Sequence, residues 1–320
     1  MARPFLKWVG GKTQLLNELN ERIPKHPKRL NYIEAFTGGG ALFFSLYRNE
    51  RIQSAVLNDA NAELILCYRE IKNNVKGVVT ALEKLSREWY SREETNTITF
   101  AEMLDHKMKE DVRTRKGYYF FKRREWNETR VEHPLSLKKV KAVKRVALTI
   151  FLNKTCFNGM YRVNQNGEYN TPYGFPKKPK ICDEQNLYAV HASLKNVELV
   201  HGGFEDLTIE PNTDLIYFDP PYYPISETSF TAYDKSGFND KKQIELADIL
   251  NICHHKGVQF LLSNSNPLES PLKSNFLHEL YKGFDIDSVS ANRMINSKGN
   301  ERGPIKEILV SNIELLQKEI

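Results

Sequence analysis

Cysteine is scarce: the 320 residues hold four, Cys67, Cys156, Cys182 and Cys253, widely spread and without a C-x-x-C pair. That spacing offers neither a zinc-ligand set nor a disulfide framework. Long apolar runs are missing as well. No stretch approaches the roughly 20 apolar residues of a membrane span. The opening MARPFLKW lacks an apolar run followed by a small-residue cleavage site. A cytoplasmic protein with no membrane association is expected. Histidine gives metal chemistry no support, because the adjacent His254 and His255 cannot share one helix face. Fixed-period repeats and low-complexity segments are absent too.

A phosphate loop is also lacking, although KWVGGKTQ at 7–14 ends like one. A triphosphate loop needs a first glycine five positions before Gly11, after a buried strand. That position is Leu6, and the chain has barely begun. Trp8, Gly10, Gly11 and Lys12 therefore need another explanation.

What is present is a chain of 320 residues, 40% hydrophobic and 27% charged, enough for one large domain or for a core with a smaller inserted domain. The net charge of +6 is unevenly placed. From Lys107 to Arg145 there are fourteen Lys/Arg against five Asp/Glu, a local +9 that leaves about −3 elsewhere. Tyr118, Tyr119, Phe120, Phe121 and Trp126 are interleaved with it. A solvated helical face over an aromatic stripe fits this pattern, and so does a polyanion partner.

Residues 31–36, NYIEAF, read as a strand that stops at Thr37-Gly38-Gly39-Gly40. ALFFSLYRN follows as a helix, then SAVLND at 54–59 as a buried strand ending in an acid. This is one Rossmann-like unit. The stretch from about Ala62 to Arg145 is mostly helical in pattern, and strands resume at 197–202, 214–218, 258–264, 284–291 and 306–313. The fold expected is α/β, a sheet interrupted by a largely helical insertion. Between them, NKTCFNGMYRVNQNGEYNTPYG at 153–174 carries the turn pairs Asn158-Gly159 and Asn166-Gly167 and reads as a β-hairpin. Its Asn, Arg, Lys and Tyr content suits base edges and phosphates, and equally a ribbon with no ligand.

The turn Phe36-x-Gly38-x-Gly40 lets a ligand approach the backbone, and Asp59, 21 residues after Gly38, suits ribose hydroxyls. It is not the G-x-G-x-x-G that serves a pyrophosphate, which favours S-adenosylmethionine over NAD or ATP. The most telling stretch is Asp219-Pro220-Pro221-Tyr222, directly after the apolar 215–218. Strand ends of this kind are where α/β sheets bind ligands. The Asp219 carboxylate and Pro220 carbonyl make a pair of acceptors matching the two hydrogens of an exocyclic amino group, and Tyr222 offers a face for stacking. A base in a duplex reaches such a pocket only by flipping out.

The order KWVGGK, EAFTGGG, LNDANAELI, basic insertion, NGMYR, FDPPYYP resembles the Dam-type DNA adenine N6-methyltransferases, the alpha-group amino-methyltransferases. The resemblance runs from Phe5 to about Asn312 and takes in YFDPPYYPISETSFTAYDKSGF at 217–238 and LLSN at 261–264. It implies a Rossmann-like S-adenosylmethionine-dependent catalytic domain at 1–61 and 186–320, with a target-recognition domain bearing a β-hairpin inserted at 62–185. It implies that Trp8, Lys12, Phe36, Gly38, Gly40, Asp59 and Asp219 serve the cofactor, and that Asp219, Pro220 and Tyr222 serve catalysis. For double-stranded DNA it points to Tyr118, Tyr119, Lys122, Arg124 and Asn127 on a phosphate-holding helix. Asn158, Met160, Arg162 and Pro172 fall where relatives that modify GATC carry base-reading residues, with Arg162 the candidate for guanine. A cognate restriction endonuclease and action as a monomer are further expectations.

One departure stands out. Several relatives have Gly-Asp-Phe where this chain has Gly202-Gly203-Phe204-Glu205, so an adenine contact there passes to Glu205, Asp206 or the backbone. Methylation of cytosine N4 or of RNA is a near alternative, though cytosine enzymes more often begin the motif with Ser. A non-catalytic nucleic-acid-binding or nucleotide-hydrolysing protein is the alternative of another class.

Overall fold

The computed structural model describes residues 1–94, 111–226, 237–292 and 304–314. The chain forms two compact units, one of Met1–Gly11, Gly38–Phe44 and Asn61–Lys195, the other of Lys12–Thr37, Ser45–Ala60 and Asn196–Ile320.

The second unit is built on a seven-stranded sheet in the order β3-β2-β1-β4-β5-β7-β6. Its strands are β1 (Leu30–Glu34), β2 (Ile52–Asp59), β3 (Val197–His201), β4 (Leu215–Phe218), β5 (Gln259–Ser265), β6 (Asp285–Asn292) and β7 (Pro304–Ser311). The first five are parallel, and β7 runs antiparallel between β5 and β6. Every expected strand of the sheet is present, as the apolar runs and their flanking turns imply.

Alternation divides the sheet into two different faces. Ile33, Ile216, Phe218, Phe260, Leu262, Ile308 and Val310 point one way, into a core with Leu246, Ala247 and Leu250 of the helix Asp240–His255 and with Leu277 and Tyr281. The opposite face carries Tyr32, Glu34, Tyr217, Ser263 and Glu307, which are polar yet buried. Such groups are tolerated only when bonded. Tyr32 donates to Glu34 at 3.0 Å, and the Tyr217 and Ser263 hydroxyls lie 2.8 Å apart. Burial pushes the Tyr32 and Tyr217 phenols well up, so both stay neutral.

The first unit is helical, with α3 (Ala62–Tyr90), α4 (Arg115–Glu128), α5 (Lys139–Thr155) and α6 (Glu184–Ser193), whereas α1 (Leu16–Arg22) belongs to the second unit and α2 (Ala41–Arg48) has residues in each. In α3, Leu64, Tyr68, Ile71, Val75, Val78, Leu82, Leu85 and Trp89 recur at helical spacing and are buried. The helix is capped by Asn61, whose side chain accepts the Leu64 N–H at 3.1 Å, and is broken at Asn74 (φ −149°, ψ 48°), where a new cap on the Gly77 N–H begins. Arg145 of α5 pairs with Glu63 of α3 at 2.7 Å, both buried, and lies 3.4 Å over the Trp126 ring of α4. One ion pair thus pins three helices.

The amino-terminal strip is tied into this unit by two asparagines that act as strand partners. Asn153 accepts the Lys7 N–H and donates to the Lys7 carbonyl, both at 2.9 Å. Asn186 does the same for Arg3, at 3.0 and 3.1 Å. The expected hairpin is a fold-back closed by isolated antiparallel bridges, Val163 with Tyr169 and Cys156 with Tyr173, rather than a regular ladder. The Asn164 side chain takes the backbone N–H groups of Asn166 and Glu168, competing with strand pairing.

Candidate active site

β4 is wholly buried and delivers Asp219 at its carboxyl end. The carboxylate is bonded on one oxygen by Lys12 Nζ at 2.7 Å and by the Ser263 hydroxyl at 3.1 Å. Lys12 lies in a short 3₁₀ turn, and only 6% of its side chain is exposed. Burial raises the Asp219 carboxyl above the usual range, while Lys12 and Ser263 hold it down. An ionised carboxylate in such a place is a strong acceptor because its own partners are fixed.

The following loop is held from beneath. The Tyr223 N–H donates to Asn264 at 2.9 Å, and the Ser265 hydroxyl donates to the Tyr223 carbonyl at 2.7 Å. The buried Gln243 donates to the Pro221 carbonyl at 3.4 Å. The LLSN strand is therefore the support of the Asp-Pro-Pro-Tyr loop. Tyr222 presents its ring to Lys12 Nζ, 4.5 Å from the centroid, and its hydroxyl donates to Glu307.

At the neighbouring strand ends, Asp59 closes β2 and Phe36 follows β1, packed on Phe204 and Phe238 at 5.4 and 5.8 Å. The buried Asn58 joins these ends by donating to the Ala35 carbonyl at 2.9 Å. Beside them, Glu205 is exposed and paired with Lys242 at 2.8 Å, which keeps its carboxyl low. Asp206 accepts the Gly203 N–H at 3.3 Å. Both acids expected to take over from the missing aspartate at 203 are thus engaged locally.

In the helical unit, Gly38 (φ +48°) and Gly40 (φ +67°) are in the left-handed region, where glycine is favoured. A Cβ on Gly38 would meet the Trp8 indole at 2.8 Å, and one on Gly40 would meet the Tyr68 hydroxyl at 2.8 Å. The glycines are needed to seat these aromatic side chains. Trp8 in turn stacks on Tyr161, 5.5 Å between ring centroids.

The residues expected to contact DNA divide by exposure. Tyr118 and Tyr119 are 2% and 0% exposed, their hydroxyls given to Glu88 and to the Thr171 carbonyl. They are core residues of α4, not phosphate contacts, because their position on the helix faces inward. Asn127 is similarly engaged, accepting the Tyr169 N–H at 2.8 Å and donating to its carbonyl at 3.3 Å. It fastens the fold-back to α4. Lys122 is paired with Glu125 at 2.9 Å, while Arg124 is exposed. Asn158, exposed at φ +54°, forms the turn before Met160. Arg162 is exposed and held by Asn170, at 2.7 Å to the side chain and 3.3 Å to the carbonyl. The Pro172 carbonyl accepts the Phe157 N–H at 2.9 Å.

The basic stretch is less free than its charge count implies. Arg145 is buried in its ion pair, and Lys144 shares Glu125 with Lys122, while Arg130, Lys138, Lys139 and Lys141 are exposed. Lys107–Glu110, and 227–236 of the motif after the loop, lie outside the described residues. Among the described residues no cluster of His, Cys, Asp and Glu is placed to hold a metal, and no helix is long and apolar enough to cross a membrane.

Residues 8–295 match the family model of D12 class N6 adenine-specific DNA methyltransferases. The chain is 41% identical over 318 residues to Type II methyltransferase M.MjaIII of Methanocaldococcus jannaschii, covering 97% of this chain and 99% of that one. It is 37% identical over 314 residues to Type II methyltransferase M1.LlaDCHI of Lactococcus lactis subsp. cremoris, covering 97% and 95%. To the DNA adenine methylase of Haemophilus influenzae it is 30% identical over 309 residues, covering 96% and 92%. Adenine is thereby favoured over the cytosine and non-catalytic alternatives. With its parallel sheet, reversed β7 and strand-end Asp-Pro-Pro-Tyr, the chain belongs to the D12 class N6 adenine-specific DNA methyltransferases.

Proposed function

We propose that this adenine-specific DNA methyltransferase uses S-adenosylmethionine to methylate N6 of adenine within GATC in double-stranded DNA. It acts as a monomer, in the cytoplasm, as the modification enzyme of a restriction-modification system with a cognate endonuclease. Two of the relatives bear the name Type II methyltransferase, which supports that last role.

The observation that carries the catalytic reading is the half-buried Asp219 carboxylate, paired with the buried Lys12 at the carboxyl end of β4. Asp219 and the Pro220 carbonyl accept the two N–H bonds of the adenine amine. Two acceptors favour a pyramidal nitrogen and stabilise the positive charge that grows on it as it attacks. No base acts beforehand, since the nitrogen becomes acidic only once alkylated. Asp219 therefore orients and accepts. Tyr222 provides the stacking face for the flipped base.

The residues of the sheet unit suit the cofactor: an acid at the end of β2 for a ribose, and an aromatic side chain, Phe36, after β1 for an apolar ring. Phe36, Asp59, Lys12 and Asp219 would hold it, together with Trp8, Gly38 and Gly40. When bound, S-adenosylmethionine supplies an electrophilic methyl group. The helical unit, whose inserted part spans 62–185, is the target-recognition domain. Arg162 reads guanine, its fork braced by Asn170, with Asn158, Met160 and Pro172 completing base contacts, and Lys122 and Arg124 serving phosphates.

Transfer of labelled methyl to duplexes with and without GATC, followed by nucleoside analysis, tests this. N6-methyladenine confined to the GATC duplex supports the full reading. Equal labelling of altered duplexes discards the GATC assignment. Asp219→Ala should abolish transfer while DNA binding persists, and loss of binding by a folded variant would overturn the division of labour.

A further inference from the structure

Glu307 directly precedes the apolar run Ile308-Leu309-Val310 of β7, and nothing in its local sequence assigns it a role. Because β7 runs antiparallel to β5, its amino-terminal half lies toward the sheet edge where β4 and β5 end, and Glu307 is paired with Ser265. Its side chain is on the same face as Ser263 and Tyr217, the buried polar face beneath the Asp-Pro-Pro-Tyr loop. The residue is only 9% exposed. A carboxylate buried there costs several kcal/mol unless it is paired and bonded, so its partners indicate its role.

Those partners are parts of the loop. The Tyr222 hydroxyl donates to Glu307, and Lys12, which faces the Tyr222 ring at 4.5 Å and bonds Asp219 at 2.7 Å, stabilises the Glu307 charge as well. Burial and the nearby Asp219 push the Glu307 carboxyl up, while Lys12 and Tyr222 hold it down. Tyr222 is consequently fixed at two points, its hydroxyl by Glu307 and its ring by the Lys12 ammonium. A ring used as a stacking plate gains from a fixed plane, since a base held a little out of place loses the in-line geometry for attack.

We propose that Glu307 is a positioning residue of the methyl transfer: by accepting the Tyr222 hydroxyl proton in a hydrogen bond, it sets the ring plane against which the target adenine stacks. This rests on the reading of Tyr222 as the stacking face. Glu307 acts through Tyr222, whose hydroxyl donates to it.

The test compares Glu307→Ala, Glu307→Gln and Tyr222→Phe, each alone, with Glu307→Ala/Tyr222→Phe, by steady-state methylation of a GATC duplex and by the fluorescence of the same duplex with 2-aminopurine replacing the target adenine. Glu307→Ala should lower kcat about 10–100-fold, the range for losing a hydrogen bond to a charged acceptor, with KM for the cofactor little changed. It should also raise 2-aminopurine emission in the bound complex, because the flipped base is less well stacked. Glu307→Gln, which retains an acceptor oxygen, should recover most of kcat. In the Tyr222→Phe background, Glu307→Ala should have almost no further effect. A full additional loss in that background, or wild-type kcat in Glu307→Ala, would overturn the proposal. Tyr222→Ala separates the two readings: undiminished turnover there would remove the stacking role itself, whatever Glu307 does.

Discussion

Lys12→Met removes the cation of the Lys12–Asp219 pair and leaves a half-buried carboxylate without its partner. Breaking a buried pair costs about 3–5 kcal/mol. Asp219 retains the Ser263 bond and some solvent exposure, 19% of its side chain, which places the loss near the lower end, about 3 kcal/mol. The pH dependence has a definite sign. Burial already raises the folded-state carboxyl above its unfolded value, and Lys12 opposes the rise, so its removal sends the group higher. A carboxyl with a raised folded pKa contributes stability at pH below its unfolded value, about 3.9, and loses it as pH rises through the folded pKa. The deficit of Lys12→Met should therefore be greatest at pH 8 by this linkage, about 3 kcal/mol, and shrink as the medium is acidified toward about pH 5. Glu307, which Lys12 also holds down, changes in the same direction. Urea unfolding followed by circular dichroism at several pH values measures this, and Lys12→Met/Asp219→Asn should recover most of the loss at pH 8. A deficit that does not change with pH, or no recovery in the double variant, would refute the electrostatic account.

Arg145→Met leaves Glu63 buried and unpaired and should destabilise the helical unit by about 3–5 kcal/mol, whereas Arg145→Met/Glu63→Leu should recover much of it in the same urea titration. Gly38→Ala places a methyl group 2.8 Å from the Trp8 indole at a positive φ, which should cost about 1–3 kcal/mol and lower the melting temperature measurably. Arg162→Ala should lower discrimination between GATC and altered duplexes by about 1–3 kcal/mol, or about 5–150-fold in relative kcat/KM, with stability little changed since the side chain is exposed.

Strands and strand ends were legible because apolar runs, turn residues and a terminal acid are local signals. The Thr37-Gly-Gly-Gly turn and Asp219 could be placed from them directly. The partner of Asp219 could not, since Lys12 lies more than two hundred residues earlier and nothing local to either residue announces the pair. Glu307 escaped notice for a related reason: its position at the reactive edge depends on β7 being reversed, which no periodicity reveals. The single clue was an acid in an apolar strand. Tyr118 and Tyr119 misled because aromatic side chains among lysines and arginines suit a core stripe as well as a nucleic-acid surface, and only burial distinguishes the two. The hairpin was half legible: Asn-Gly pairs marked its turns, but asparagine side chains occupy the amides a ladder would have used.

The paired clamps from Asn153 to Lys7 and from Asn186 to Arg3 bear on how the helical unit could be exchanged between relatives. Cutting out the middle of the chain as a cassette would carry both asparagines but strand their amides, buried and without acceptors or donors of matching shape. A graft has to bring the first eleven residues with it, or choose a host whose own opening strip offers the same backbone at the same register. The helical unit is therefore discontinuous in the gene, and a chimera cut by sequence boundaries alone would lose these four hydrogen bonds.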